Sequence, residues 1–181
     1  DDETRKLLEE LEKLLKENAD SSQLEKLLDK LKQNSQNLEK ELERTLELFK
    51  QLQFDYKLDQ AIEELKKQTE EQKSLLEKTD ALEKASEQKP KGDKNQQKLA
   101  DEFKGTEEKL EELRKLGEEL NEEENIPQEE QTDEVMQSQQ ESQENLKENN
   151  PSKAKSGQQK AVQKMQEMQQ LMEDMQNYMT M

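Results

Sequence analysis

A chain of 181 residues with 27% hydrophobic and 41% charged residues and a formal charge of −17 has room for a thin core only. It contains no cysteine and no histidine, which removes disulfides, thiolate nucleophiles, imidazole acid–base chemistry and nearly every transition-metal site. The negative charge opposes binding to phosphate backbones, so no nucleic acid is expected as a partner, and no apolar run of about eighteen residues is available to span a membrane.

Residues 3–17 place Leu7, Leu8, Leu11, Leu14 and Leu15 on one face, the pattern of a short amphipathic helix that needs a partner to be stable. Ser22 and Glu25 then have the spacing of a capping box, and no Gly or Pro follows up to about Glu87. This predicts one helix over 22–87, about 65 residues and about 100 Å long. Leu24, Leu28, Leu31, Ser35, Leu38, Leu42, Thr45, Phe49, Leu52 and Tyr56 follow one another along it at alternating 4,3 spacing, a coiled-coil seam. After Tyr56 the pattern resumes one residue early as Leu58, Ile62, Leu65, Thr69, Gln72 and Leu76, so the contact stripe rotates around the helix. The best-packed layer is expected at this shift, among Phe49, Leu52, Phe54, Tyr56 and Leu58.

Lys89, Pro90, Lys91 and Gly92 break the helix, with Asp93 as the expected N-cap and Gln96 at N3 of the next one, over 94–124. Its seam is Leu99, Phe103, Thr106, Leu110, Leu113, Gly117 and Leu120, and Gly105 and Gly117 each weaken it or mark a bend or a close approach. Ile126 and Pro127 open a polar segment over 128–148 whose apolar residues are Val135, Met136 and Leu146, so any helix there is weakly held and disorder is the competing expectation. Asn150 as N-cap and Pro151 at N1 start a last helix over 151–180, with the seam Ala154, Gln158, Ala161, Met165, Met168, Met172, Met175 and Met179.

These elements predict an all-α fold, an elongated antiparallel coiled-coil or helical bundle built on one very long helix, with 1–181 as a single elongated module. The last helix is expected to return along segment 128–148 and the Leu24–Leu42 seam, with the lysines of 153–164 opposite Glu141, Glu144 and Glu148. Because the chain begins at Asp1 and the apolar pattern still runs at Met181, it is read as a piece of a longer protein.

Met165, Met168, Met172, Met175 and Met179 are the candidate partner-binding face, since flexible thioether side chains adapt to partners of differing shape; a packing seam is the plainer reading of the same spacing. The acidic run Glu118–Glu124 with Glu129 and Glu130 lacks the ligand spacing of a calcium loop and reads as a solvated face. The basic regions Lys84–Lys98 and Lys153, Lys155, Lys160 and Lys164 read as complements to acidic helices rather than as a lipid-binding surface. Polar seam residues Ser35, Thr45, Thr69, Gln72, Thr106 and Gln158 read as register control. No catalytic residue, metal ligand or cofactor site is indicated, and the expectation is a non-enzymatic scaffold that engages a protein partner or itself through helix seams. A holdase-like chaperone using the Met-rich helix is the alternative.

The segments ELFKQLQFDYKLDQAIEELKKQTEEQKSL and SKAKSGQQKAVQKMQEMQQLMEDM resemble a family of large Bacteroidota proteins of unknown function, over about residues 20–181. In that family transmembrane helices precede a long acidic helical region. The resemblance implies a membrane-anchored parent protein, a cell-envelope location and a scaffold role, and carries no functional residues with it.

Overall fold

The computed structural model describes residues 38–84, 92–123 and 125–179, and all the regular structure in them is α-helical. In chain order the helices are α1 (Leu38–Lys84), α2 (Asp93–Leu120), α3 (Glu129–Lys147) and α4 (Pro151–Met179). The expected helix over 3–17, the Ser22–Glu25 capping box and the seam positions Leu24, Leu28, Leu31 and Ser35 lie outside the described residues. The chain divides into two compact units, Asp1–Gln53 and Phe54–Met181.

Of the first unit, the described part is the beginning of α1, in which Leu42, Leu46 and Phe49 are buried. The seam expected there holds at Leu42 and Phe49 and fails at its end. Leu52 and Tyr56 are 58% and 61% exposed, and the buried residues of the following stretch are Phe54, Leu58, Ala61, Ile62 and Leu65. At about 100° per residue, Leu52 and Tyr56 each lie about 160° around the helix from Phe54, so once Phe54 is inside they face out. The stripe therefore changes face between Phe49 and Phe54, earlier than the sequence pattern places it. Further along, Leu75 and Thr79 are buried where the pattern points to Leu76, and Leu76 is only half-buried.

The second unit is an antiparallel four-helix bundle. Contacts between α1 and α2 run from Lys57–Glu112 through Glu64–Lys109 and Gln68–Thr106 to Gln72–Gln96, which establishes the expected fold-back. Lys164–Glu134 runs α4 against α3, while Gln176–Asp59, Lys66–Glu173 and Lys155–Asp80 run it along α1. The apolar core joins Phe54, Leu58, Ile62 and Leu65 of α1 to Phe103, Leu110 and Leu113 of α2, Ile126, Val135 of α3, and Met165 to Met175 of α4.

Several boundaries differ from expectation for local reasons. Gly92, at φ 80°, is the N-cap of α2, and Asp93 is its first helical residue; the Gln96 amide donates to the Gly92 carbonyl at 3.0 Å. The helix stops at Leu120 rather than 124, because Asn121 takes the left-handed conformation and its N–H and that of Glu122 close onto Glu118 and Gly117. Gly117 marks a close approach: a Cβ there would lie 2.6 Å from Ile126 Cδ1. Pro127 precedes the N-cap Gln128 instead of opening α3, and the Gln128 N–H donates to Gln131 Oε1 at 3.1 Å. Segment 128–148 is a helix, buried through Thr132, Val135, Ser138, Gln139, Ser142 and Leu146. Its partner α4 begins as expected: Asn150 Oδ1 accepts the Lys153 N–H at 3.4 Å.

Candidate functional site

Each helix of the bundle sends one glutamine to a common layer: Gln72 from α1, Gln96 from α2, Gln139 from α3 and Gln158 from α4, all at most 1% exposed. Gln72 and Gln96 form a reciprocal amide pair, each Nε2 donating to the other's Oε1 at 2.8 Å. Gln139 Nε2 then donates to Gln72 Oε1 at 3.2 Å, and Gln158 Nε2 donates to Gln96 Oε1 at 3.0 Å. Two carbonyl oxygens thus carry four hydrogen bonds and tie the four helices together. Gln139 Oε1 and Gln158 Oε1 are buried and accept no hydrogen bond from the protein.

The layer bounds the apolar core. Phe54 to Leu65 precede Gln72, Phe103 to Leu113 follow Gln96, Val135 precedes Gln139, and Ala161 to Met175 follow Gln158, so in the antiparallel bundle all of them lie on one side of it. Beside it, Gln68 Nε2 donates to Thr106 Oγ1 at 2.7 Å and to the Glu102 carbonyl. Between α3 and α4 the approach is close, since a Cβ on Gly157 would meet the Ser142 hydroxyl and come within 3.0 Å of the Ser138 carbonyl. A second polar cluster holds the α2–α3 connection: Arg114 Nε donates to the Pro127 carbonyl at 2.7 Å and Nη1 pairs with Glu107, which also accepts from Thr132.

The candidate partner-binding methionines are packed. Met165, Met168 and Met172 are fully buried, Met175 is 4% exposed, and Met179 is partly buried against the same core. They share one core with Phe54 to Leu65 of α1 and Phe103, Leu110 and Leu113 of α2; most of the Leu24–Leu42 seam that they are expected to cover lies outside the described residues. The α4 lysines also choose other partners than expected. Lys155 pairs with Asp80 and Glu83, and Lys164 with Glu134 and Glu167, in place of Glu141, Glu144 and Glu148. A hydrogen bond from Lys155, with a second from Lys84, holds the Asp80 carboxyl below its usual range. Burial, together with a hydrogen bond to the Glu71 carboxyl, raises that of Glu102.

Of the polar seam residues, Thr69, Gln72, Thr106 and Gln158 are buried as expected, and Thr45 is half-buried. Sequence reasoning misses Gln96 and Gln139 as layer members. Gln96 reads as a capping residue, and the polarity of α3 hides Gln139. The signal exists: Thr132, Val135, Gln139, Ser142 and Leu146 follow the same alternating spacing as the apolar seams.

Among the described residues no group of three His, Cys, Asp or Glu side chains is placed to hold a metal ion, and no helix is long and apolar enough to cross a membrane. No protein-family model, curated protein or solved structure matches the chain.

Proposed function

We propose that this chain is a non-enzymatic scaffold segment of a larger cell-envelope protein, which spaces or bridges components through helix surfaces. In this reading α1 continues a helix that begins at Ser22, and the chain is an elongated antiparallel coiled-coil assembly built on it. The observation that carries the proposal is the glutamine layer. Buried polar groups that bond to one another across four helices fix alignment at some cost in stability, which suits a part whose shape is its function. The envelope location rests on the family resemblance alone. Affinity capture under native conditions tests the scaffold role: a stoichiometric protein partner supports it, and capture of none, with the chain intact and folded, removes it.

The holdase reading draws on one observation, that Met165, Met168, Met172 and Met175 lie along one face of one helix. Release of α4 would present them together. Suppression of aggregation of a non-native client, lost when α4 is cross-linked to α1, would favour this reading over the scaffold.

A further inference from the structure

Met165, Met168, Met172, Met175 and Met179 occupy successive core-facing positions of α4, whereas α1 and α2 fill the same core with Phe54, Leu58, Ile62 and Leu65 and with Phe103, Leu110 and Leu113. Leucine would fill much the same space at little cost, so packing alone does not call for a thioether at every one of these positions. What sets the thioether apart is its chemistry. The chain has no Cys and no Trp, which leaves methionine sulfur as its most readily oxidised group. We propose that Met175 is a site of reversible oxidation, reached by way of Met179, and that its sulfoxide releases α4 from the core.

Burial is graded along this seam. Met165, Met168 and Met172 are fully buried, Met175 is 4% exposed, and Met179 is partly buried against the same core. A peroxide in solution therefore meets Met179 first and Met175 next. At each, a sulfur lone pair attacks one peroxide oxygen as the O–O bond breaks; that oxygen forms the new S–O bond, its proton passes to the departing hydroxide, and the products are a sulfoxide and water. Sulfur gives up two electrons and the peroxide takes them. At Met179 the added oxygen can stay in water. At Met175 it cannot, because the core is built of Phe, Leu, Ile, Val, Ala and Met, whose side chains have no N–H or O–H to donate. A buried sulfoxide without a donor is disfavoured, so this part of α4 stays open and Met172 becomes the next accessible sulfur. At the surface, Gln176–Asp59 and Lys66–Glu173 hold the same stretch, and partly exposed pairs of this kind resist opening only weakly. Two thiols return each sulfoxide to the thioether, with a disulfide and water as products, which closes the cycle.

The proposal goes beyond the scaffold reading and gives the holdase reading a trigger. Graded treatment of the full chain with hydrogen peroxide, with peptide mass spectrometry to place each added oxygen, tests it. Oxygen should appear at Met179, then at Met175, and then at Met172, Met168 and Met165 nearly together. With Met175 oxidised, the melting temperature should fall by at least about 4 °C. Methionine sulfoxide reductases supplied with a dithiol should restore it. Met175→Leu combined with Met179→Leu keeps the apolar volume and should fold as before, but its three inner methionines should oxidise at least about fivefold more slowly than those of the natural chain. Four results overturn the proposal: Met175 left unoxidised while the chain is folded, an unchanged melt once it is oxidised, inner methionines that react equally fast in the double variant, or a melt that stays low after reduction. An oxidised, opened chain supports the proposal whether or not it suppresses aggregation of a non-native client; absence of suppression removes the holdase reading alone.

Discussion

Gln72 and Gln96 hold each other from both ends, each amide donating to the other's carbonyl at 2.8 Å in the interior of the bundle. Each carbonyl also accepts from a further helix, so the four side chains are coupled. Gln72→Met removes an acceptor from both Gln96 and Gln139 while nearly preserving shape. It should cost about 1–3 kcal/mol for each buried amide left without an acceptor. Replacing all four by Met removes the stranded groups together and should leave stability near or above that of the natural chain. Urea melts of the single and fourfold variants check this; a fourfold variant weaker than the single one would mean that the layer contributes net stability.

Two glycines of α2 should respond oppositely to alanine. Gly105 is exposed, and a methyl group added there would meet nothing within 4 Å, so Gly105→Ala should stabilise by about 0.5–1 kcal/mol through helix propensity. At Gly117 the added methyl would lie 2.6 Å from Ile126 Cδ1 and 3.3 Å from Phe54 Cε2, so Gly117→Ala should destabilise by about 1–3 kcal/mol. Thermal melts of both variants, read for sign, decide whether the α2 C-terminus packs as closely as described.

Glu102 and Asp80 set opposite slopes with pH. The Glu102 carboxyl is raised by burial and by its hydrogen bond to Glu71, so the folded chain holds that proton more tightly than the unfolded one. Its unfavourable contribution is absent below the ordinary glutamate range and grows as pH rises through the raised folded value. Glu102→Gln should flatten this part of the profile. Asp80 is lowered by hydrogen bonds from Lys155 and Lys84, so its favourable contribution is present above the ordinary aspartate range and is lost as pH falls through the depressed value. Asp80→Asn should remove that acid-side loss. Melting temperatures across both windows should show the two slopes separately.

The α2 and α4 seams are legible in the sequence because a single apolar phase runs through each: Leu99, Phe103, Leu110 and Leu113 in one, Ala161, Met165, Met168 and Met172 in the other. On α1 two phases overlap. Leu48, Leu52 and Phe49 precede Phe54 and Leu58, and hydropathy cannot decide which leucines face inward until the neighbours are known. The layer is half legible for a different reason. Gln72 and Gln158 interrupt apolar seams, but Gln139 sits in a helix whose buried face is largely Thr, Ser and Gln, and its burial depends on amide partners distant in sequence. Likewise Lys155 reaches Asp80 across the bundle, a pairing that no local charge pattern contains.

The aromatic centre is at Phe54 rather than spread across the whole cluster. Phe54→Ala should destabilise by about 3–5 kcal/mol, because Phe54 is fully buried against Gly117 and the core. Leu52→Ala should change stability by no more than about 0.5 kcal/mol, given its exposure. Met168→Leu, fully buried but nearly conserved in volume, should cost less than about 1.5 kcal/mol. Denaturant midpoints with unchanged slopes would rank the three; equal losses at Phe54 and Leu52 would contradict the change of face along α1.

Removing α4 tests the core as a whole. The helix covers Phe54, Leu58, Ile62 and Leu65 with Met165, Met168, Met172 and Met175, and it supplies Gln158 to the layer. Its ion pairs, Lys66–Glu173, Lys155–Asp80 and Lys164–Glu134, involve partly exposed side chains and add little by comparison. Deleting residues 151–181 should therefore lower the melting temperature at high salt almost as much as at low salt, since apolar burial is not screened. Dye-binding apolar surface should appear, and hydrogen exchange should locate it on residues 54–65 of α1. Loss of protection confined to residues 38–49 would place the methionines over the wrong half of α1. An unchanged melt with no dye binding would mean that α4 is not part of the core.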